Sequence, residues 1–338
     1  MIRVGLMGCG TVAGYGHLPA IMQTPGLQLV ALYDPNPAAL RKAQDQCRVP
    51  QAYGAAAAFF ESGIDAVAIT SPAPYHCENV LAAARYGKHV LCEKPLASDE
   101  HECARMIRAM ADAHCQLYVG FTYRFSPTAL EIHRQVRAGA VGEVLSLRLI
   151  YNWDCHGKYS VDAAGRRVIQ KRREDRMLEG GPMIDCGTHQ IDLARWWLGA
   201  EVVSFAGHGA WVDNYEAPDH VWLHLEHANG AHTMVEISYS YGHTAQCPRH
   251  EFVYELIGTR GVLRFDREAQ RFELIGESGT TDLGAQSEKN FAGMYAEFAQ
   301  ALARGGSDLL ASGQDGLAAV RISRLGTLDA VRRRLPQS

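Results

Sequence analysis

An apolar run, Ile2–Met7, breaks into Gly8-Cys9-Gly10-Thr11-Val12-Ala13 and then into a helical pattern through Leu18, Ile21 and Met22. No other stretch constrains the fold as much as this strand, turn and helix. In a G-x-G-x-x-G/A turn the first glycine makes the bend and the second lets main chain approach a pyrophosphate. A small third residue, here Ala13, lets helix and strand pack closely. The helix that starts near Thr11 would offer unbonded N–H groups and the positive end of its dipole to phosphate. A second buried run, Leu27–Tyr33, ends in Asp34, where a carboxylate suits the ribose hydroxyls of NAD and repels the 2′-phosphate of NADP. The segment therefore predicts a dinucleotide site contacted by Gly8, Gly10, Thr11, Val12 and Asp34. NAD is preferred over NADP, although Arg41 and Lys42 follow on what reads as the exposed face of the next helix.

Such strand-helix units recur to about Gly120. The runs Ala66–Thr70, His89–Cys92 and Leu117–Gly120 alternate with helical patterns over 75–86 and 99–114, which implies a parallel, doubly wound sheet. Ligands bind such sheets beyond the carboxyl ends of the strands. The loops Gly8–Ala13, Ser71–His76 and Glu93–Pro95 are thus expected to face one crevice, which adds Ser71, Pro72, His76, Glu93 and Lys94 to the candidate cofactor contacts. From about Phe121 the apolar period changes to two, in Val144–Tyr151, Val221–Glu226, Thr233–Tyr239 and Phe252–Ile257. Helical patterns near Pro182–Leu198, Lys289–Ala303 and Gly313–Arg333 are available to cover one face of that sheet, and the other face is open to form an oligomer. The fold class expected is α/β, with an N-terminal Rossmann doubly wound parallel sheet over 1–120. A C-terminal α+β domain with a largely antiparallel open sheet follows over 121–338. A chain of 338 residues suits two domains.

Composition narrows the function classes. A formal net charge of -4 gives no electrostatic reason to expect nucleic acid or a membrane surface, and 47% apolar residues argue against disorder. No apolar run reaches the roughly 18 residues of a membrane span, and Met1 leads straight into a strand without a basic leader. The 9 cysteines form no C-x-x-C pair, which argues for a reducing compartment and a cytoplasmic protein. The histidines invite a metal reading at Cys155-His156 and at His220, His224 and His227. In an alternating strand, however, residue 227 points away from 220 and 224, and no metal is expected.

Two further clusters carry chemistry. Glu93-Lys94-Pro95 follows the strand His89–Cys92, and Asp185-x-x-x-His189 opens a later helix. At about 100° per residue, positions 185, 189 and 192 fall within an arc of about 60° on a regular helix, so Asp185, His189 and Asp192 share one stripe. An imidazole there suits a general base and an ammonium suits the charge developing on an oxygen. The structural alternative is that Asp185 caps the helix and His189 sits in the core, with Asp192 paired to Arg195.

With these motifs the chain resembles the Gfo/Idh/MocA family of NAD(P)-dependent sugar and cyclitol oxidoreductases over nearly its whole length. The resemblance rests on Gly8–Ala13, on Ser71-Pro72 with His76, on Gly87 to Pro95, on Gly120–Phe125, on Gly180 to Asp192 and on Gly258-Thr259-Arg260-Gly261. It implies a dehydrogenase that passes a hydride between a hydroxyl carbon of a sugar, cyclitol or sugar derivative and the nicotinamide, as an inositol dehydrogenase does. Lys94, Asp185 and His189 would be catalytic and would touch substrate. Tyr123 and Arg124 are candidate substrate contacts, although Thr122 replaces the asparagine common in the family, and His76 either contacts the nicotinamide side or acts as a local cap. Two alternatives share these motifs: an enzyme that recycles held NAD to give net glycoside cleavage or epimerisation, and a non-catalytic NAD-binding sensor. Family members are commonly oligomeric, which implies a homodimer or homotetramer through the C-terminal sheet.

The segment Trp153–Gly181 is the least constrained by the resemblance. Its Lys158, Arg166, Arg167, Lys171, Arg172, Arg173 and Arg176 would suit an acidic substrate or an interface, but Asp154, Asp162, Glu174, Asp175 and Glu179 interleave with them, and local ion pairing is favoured. Trp153 and Tyr159 stack on a pyranose face or simply pack. A neutral sugar or cyclitol is the expected substrate.

Overall fold

The computed structural model describes residues 1–49, 51–155, 157, 159–242, 245–247, 249–286 and 289–334, with the side chains of Ser160, Val161 and Arg167 excepted. The chain divides into two compact units, each described in turn.

The first unit comprises Met1–Phe125 and Lys289–Val320. Its sheet contains β1 (Ile2–Met7), β2 (Leu27–Tyr33), β3 (Gln51–Tyr53), β4 (Ala66–Ile69), β5 (His89–Cys92) and β6 (Leu117–Val119), in the order β6-β5-β4-β1-β2-β3, with the short strand Ala311–Ser312 beyond β6. All pairs are parallel except that last one. β1 lies between β2 and β4, so the winding direction reverses at its carboxyl end, the place where open α/β sheets take their ligands. The register aligns the strand ends: Met7 stands opposite both Tyr33 and Ile69, Ile69 opposite Cys92, and Cys92 opposite Val119. Every residue of β4 and the last three of β5 are buried, as strands covered on both faces require.

The helix Phe291–Arg304 belongs to this unit. Its Met294, Tyr295 and Phe298 form an i, i+1, i+4 stripe with no exposed surface, packed with Leu18, Ile21 and Leu29. The sequence left this helix available to the antiparallel sheet. An apolar stripe is indifferent to which sheet it covers, and here it covers the parallel one.

The second unit comprises Ser126–Glu288 and Arg321–Ser338. Its main sheet has eight strands: β7 (Val144–Asn152), β10 (Val202–Ala210), β11 (His220–His227), β12 (His232–Ser238), β13 (Glu251–Gly258), β14 (Gly261–Asp266), β15 (Arg271–Gly276) and β16 (Gly279–Asp282), in the order β10-β11-β12-β7-β13-β14-β15-β16. A separate hairpin pairs β8 (Tyr159–Val161) with β9 (Arg167–Ile169). Only the β12–β7 pairing is parallel. One face carries Leu147, Leu149, Tyr254, Leu256, Leu263, Phe265 and Phe272, all buried. The helices Pro127–Arg137 and Thr188–Leu198 lie on it. Trp197 packs edge-on against Tyr254 at 5.1 Å and donates its indole N–H to the Ala129 carbonyl at 3.0 Å. On the opposite face Arg148, Glu255, Arg264 and Glu273 stand opposite one another on successive strands and make a row of alternating charge, beside Ile257 and Ile275, which are 41% and 38% exposed.

No helix among the described residues is long and apolar enough to cross a membrane.

Candidate active site

In the first unit the strand ends bring the sequence motifs together. Gly8 follows β1 at φ +103, and a Cβ there would lie 2.5 Å from the Ser71 nitrogen, so only glycine lets the first turn pass this close to the loop after β4. Thr70 ties the two together by donating its hydroxyl to the Gly8 carbonyl at 2.5 Å. At Gly10 a Cβ would meet nothing within 4 Å, which leaves open space at the turn where a pyrophosphate needs it. Helical structure begins at Thr11, with Thr11 exposed, Val12 half-buried and Ala13 buried against the strand. The Asp34 carboxylate, at the end of β2, accepts the Cys9 N–H at 2.7 Å and the Asn36 N–H at 2.8 Å. An open glycine cradle at a helix start, with a fixed acceptor one strand away, fits a dinucleotide with free ribose hydroxyls. Burial and the nearby Asp34 charge push the Cys9 thiol up to about 12.

The loop after β5 carries Glu93 and Lys94. The Glu93 carboxylate sits 2.9 Å from His17 Nε2 and accepts the Lys94 backbone N–H at 3.0 Å. His17 Nδ1 is 2.7 Å from the Tyr295 hydroxyl. Lys94 itself is half-buried, and its peptide to Pro95 is cis. His76 is buried with its ring between two loops, Nδ1 at 2.9 Å from the Pro95 carbonyl and Nε2 at 2.7 Å from the Ser71 carbonyl. Burial lowers its pKa. A neutral ring has one N–H to donate, so it bridges these loops with one hydrogen bond at a time. It makes no side-chain cap to its helix. Pro72 is exposed, and the Ser71 hydroxyl accepts from the Asn79 amide at 3.0 Å. Tyr123 is buried with the Lys289 ammonium 5.3 Å from its ring centre, while buried Arg124 donates to the Leu309 carbonyl at 3.4 Å and reaches Asp315 at 3.6 Å.

In the second unit Asp185 lies in a π-helical turn, Met183–Gly187, that runs into the α-helix Thr188–Leu198. Its carboxylate accepts the Tyr239 hydroxyl at 2.5 Å, with Arg176 Nε at 3.8 Å. Burial and the Asp185 charge push the Tyr239 phenol well above its ordinary value. His189, one turn on, is 3% exposed, and Asp192 has no exposed surface. The i→i+5 closure of a π-turn changes the angular step, so the regular 60° arc does not extend back to Asp185. Arg195 binds Glu201 at 2.6 and 3.1 Å. Trp153 stacks on Tyr151 at 5.5 Å and meets Tyr239 edge-on at 5.9 Å.

Three cations of the basic segment pair with carboxylates of the same segment, and a fourth, Arg173, pairs outside it. Arg166 binds Asp162, Lys171 binds Asp175 and Arg176 binds Glu179. Arg173, with no exposed surface, reaches Asp219 at 2.9 Å and Asp213 at 3.6 Å and donates to the Tyr239 and Asp154 carbonyls. Lys158 and His156 lie outside the described residues. Buried His227 bonds to Thr233 at 2.9 Å, on the other side of the strand from His220 and His224. No group of three or more His, Cys, Asp or Glu among the described residues is placed to hold a metal ion.

Sequence reasoning did not single out His17, Tyr295, Tyr239 or Asp219 for a site, and it named Arg173 only within the basic segment. His17 alone left a signal, as a histidine four residues before the apolar Ile21 in the first helical pattern. The others have partners that are distant in sequence or lie within strands.

Residues 2–121 match the GFO/IDH/MocA oxidoreductase family, described by its NAD-binding Rossmann fold, and residues 129–264 match the GFO/IDH/MocA C-terminal domain. The chain is similar to a scyllo-inositol 2-dehydrogenase (NAD(+)) of Bacillus subtilis (strain 168), 28% identical over 78% of this chain and 73% of that one. It is also similar to an inositol 2-dehydrogenase of Rhizobium meliloti (strain 1021), 26% identical over 95% and 94%. Among solved structures, a levoglucosan dehydrogenase in complex with NADH and L-sorbose superposes with a TM-score of 0.83 at 23% identity, covering 98% of this chain and 97% of that one, a likeness of fold. The chain belongs to the GFO/IDH/MocA family of NAD-dependent oxidoreductases, which act on the hydroxyl groups of sugars and cyclitols.

Proposed function

We propose that this protein oxidises a hydroxyl of a neutral sugar or cyclitol with NAD. The observation that carries the proposal is the common register of the ends of β1, β2, β4 and β5, which gathers the glycine turn, Asp34, Ser71 and Lys94 at one edge of the parallel sheet. Gly8, Gly10, Thr11 and Val12 hold the phosphates, Asp34 accepts the ribose hydroxyls, and Ser71, Pro72, His76 and Glu93 form the neighbouring wall. NAD, when bound, supplies the hydride acceptor. Lys94 stabilises the negative charge that builds on the substrate oxygen as the carbinol hydrogen leaves, and His189 takes up the hydroxyl proton. Asp185, fixed by the Tyr239 hydroxyl, orients the substrate or the imidazole. Tyr123, Arg124 and Trp153 are second candidates for substrate contact. Of these, Arg124 already serves the Leu309–Asp315 segment.

A neutral substrate is favoured because Arg166, Lys171, Arg173 and Arg176 are already matched by carboxylates, and a second anion would have to displace one of them. The related inositol dehydrogenases support the same class. The alternating Arg148-Glu255-Arg264-Glu273 row is complementary to itself when turned about a two-fold axis, and with Ile257 and Ile275 it suits a second copy of this chain. Nine free cysteines suit a reducing compartment, and the cytoplasm is the location proposed.

NADH absorbance across inositols, aldoses, uronates and glycosides, with NAD and NADP in parallel, tests the assignment. Turnover with NAD on a neutral polyol, cut about 100-fold or more in Lys94→Ala and in His189→Ala, is the expected result. A preference for uronates would overturn the neutral class. Full activity in either variant would remove that residue from the chemistry.

A further inference from the structure

Glu93 directly precedes the lysine assigned to the chemistry, yet its side chain is only 14% exposed. Both of its oxygens have partners within the first unit: Oε1 faces His17 Nε2 at 2.9 Å and Oε2 accepts the Lys94 backbone N–H at 3.0 Å. His17 is 1% exposed and sits in the π-helical stretch Ala13–His17 that follows the glycine turn. Its other nitrogen lies 2.7 Å from the hydroxyl of Tyr295, which has no exposed surface. Phe291 closes the imidazole from one side, ring centres 5.0 Å apart.

Burial and the Glu93 charge keep the Tyr295 phenol protonated. Burial alone would push the Glu93 carboxyl up, but the His17 hydrogen bond and charge, with Lys94 and Lys289 nearby, carry it below its ordinary value. As a carboxylate Glu93 can only accept, so His17 Nε2–H donates to Glu93 Oε1, and His17 Nδ1 pairs with the Tyr295 hydroxyl at 2.7 Å. Such a chain, buried and satisfied at every link, defines a single geometry. His76 and Cys92 also feel the Glu93 charge.

We propose that His17 and Tyr295 are positioning residues for Lys94, acting through Glu93, so that the buried chain Tyr295–His17–Glu93 fixes the main chain of Lys94 and locks its loop to the first turns of the dinucleotide helix. The proposal rests on the role given to Lys94 above.

The test compares His17→Ala, His17→Gln, Tyr295→Phe and Lys94→Ala in the full chain. Measurements are kcat and KM across pH, and NADH dissociation followed by its fluorescence. His17→Ala is expected to lower kcat about 10- to 100-fold while KM and NADH affinity stay within about threefold, the pattern of a lost transition-state interaction. The acid limb of its kcat profile should move to higher pH, because Glu93 without its donor takes up a proton more readily. His17→Gln, whose amide can donate to Glu93, should recover most of the rate. Tyr295→Phe, which removes one oxygen, should lose about 3- to 10-fold with the same direction of shift. An unshifted acid limb in Tyr295→Phe overturns the proposal, as does a His17→Ala loss that tracks weaker NADH binding and is not rescued by glutamine. An inactive Lys94→Ala beside a normal His17→Ala sinks the relay alone, whereas an active Lys94→Ala sinks the reading of Lys94.

Discussion

A guanidinium with no exposed surface needs an anion beside it, and Arg173 has Asp219 at 2.9 Å with Asp213 farther off. Asp219 is equally buried, so Arg173→Met leaves a buried carboxylate held by the Val212 and Asp213 N–H groups without its cation. Urea denaturation should show a loss of about 3–5 kcal/mol; a loss below about 1 kcal/mol would mean that solvent reaches Asp219. Glu93 offers a pH test. Its carboxyl lies lower in the folded chain than in the unfolded one, so its stabilisation is complete above the ordinary carboxylate range and fades as pH falls through the folded value. The stability gap between wild type and Glu93→Gln should therefore be widest near neutral pH and narrow below about pH 4, and a gap independent of pH would contradict the assignment. Thiol labelling gives a third check. At pH 8 Cys9, pushed up to about 12, should resist iodoacetamide while exposed Cys247 reacts. At this scale the glycine turn and Asp34 were legible because their chemistry is local. The His17–Tyr295 bond was not, because it joins positions 278 apart in sequence.

Among elements, the two helices that carry the motifs share a feature that periodicity conceals. Both contain a π-helical turn, at Ala13–His17 and at Met183–Gly187. A sequence read at 100° per residue places Asp185 by the wrong step, whereas the strand alternation, with its period of two side chains, picked out β7, β11, β12 and β13 of the antiparallel sheet and left β10 and β14 to β16 unread. Glycine positions report where elements touch. In Gly8→Ala the new Cβ meets the Ser71 nitrogen in a left-handed backbone region, a cost of about 1–3 kcal/mol. NADH affinity should fall about 10-fold or more, and unchanged affinity would argue against the glycine cradle. On the second unit, a Cβ at Gly207 would lie 1.9 Å from the Gly326 carbonyl, which sets strand β10 directly against the helix Gly313–Arg332. Gly207→Val should lower the unfolding midpoint sharply, and a neutral result would show that this contact can open.

For the molecule as a whole, the sequence made both sheets legible, since each carries its own apolar period. It could not tell which sheet the helix Phe291–Arg304 would cover, because that choice depends on shape rather than pattern. The exposed sheet face supplies a prediction at this scale. Light scattering on the wild type should give a mass of at least two chains, and Ile257→Asp with Ile275→Asp should reduce it to one. A wild-type monomer at micromolar concentration would remove the second copy from that face. The helix Phe291–Arg304 also has a consequence for synthesis. A ribosome releases β1 to β6 long before Met294, Tyr295 and Phe298, so the nascent parallel sheet waits with part of its core open while every strand of the antiparallel sheet emerges. The portion made first thus waits for residues made near the end of synthesis, and a chain truncated after Phe125 should emerge as a client for chaperones rather than as a domain.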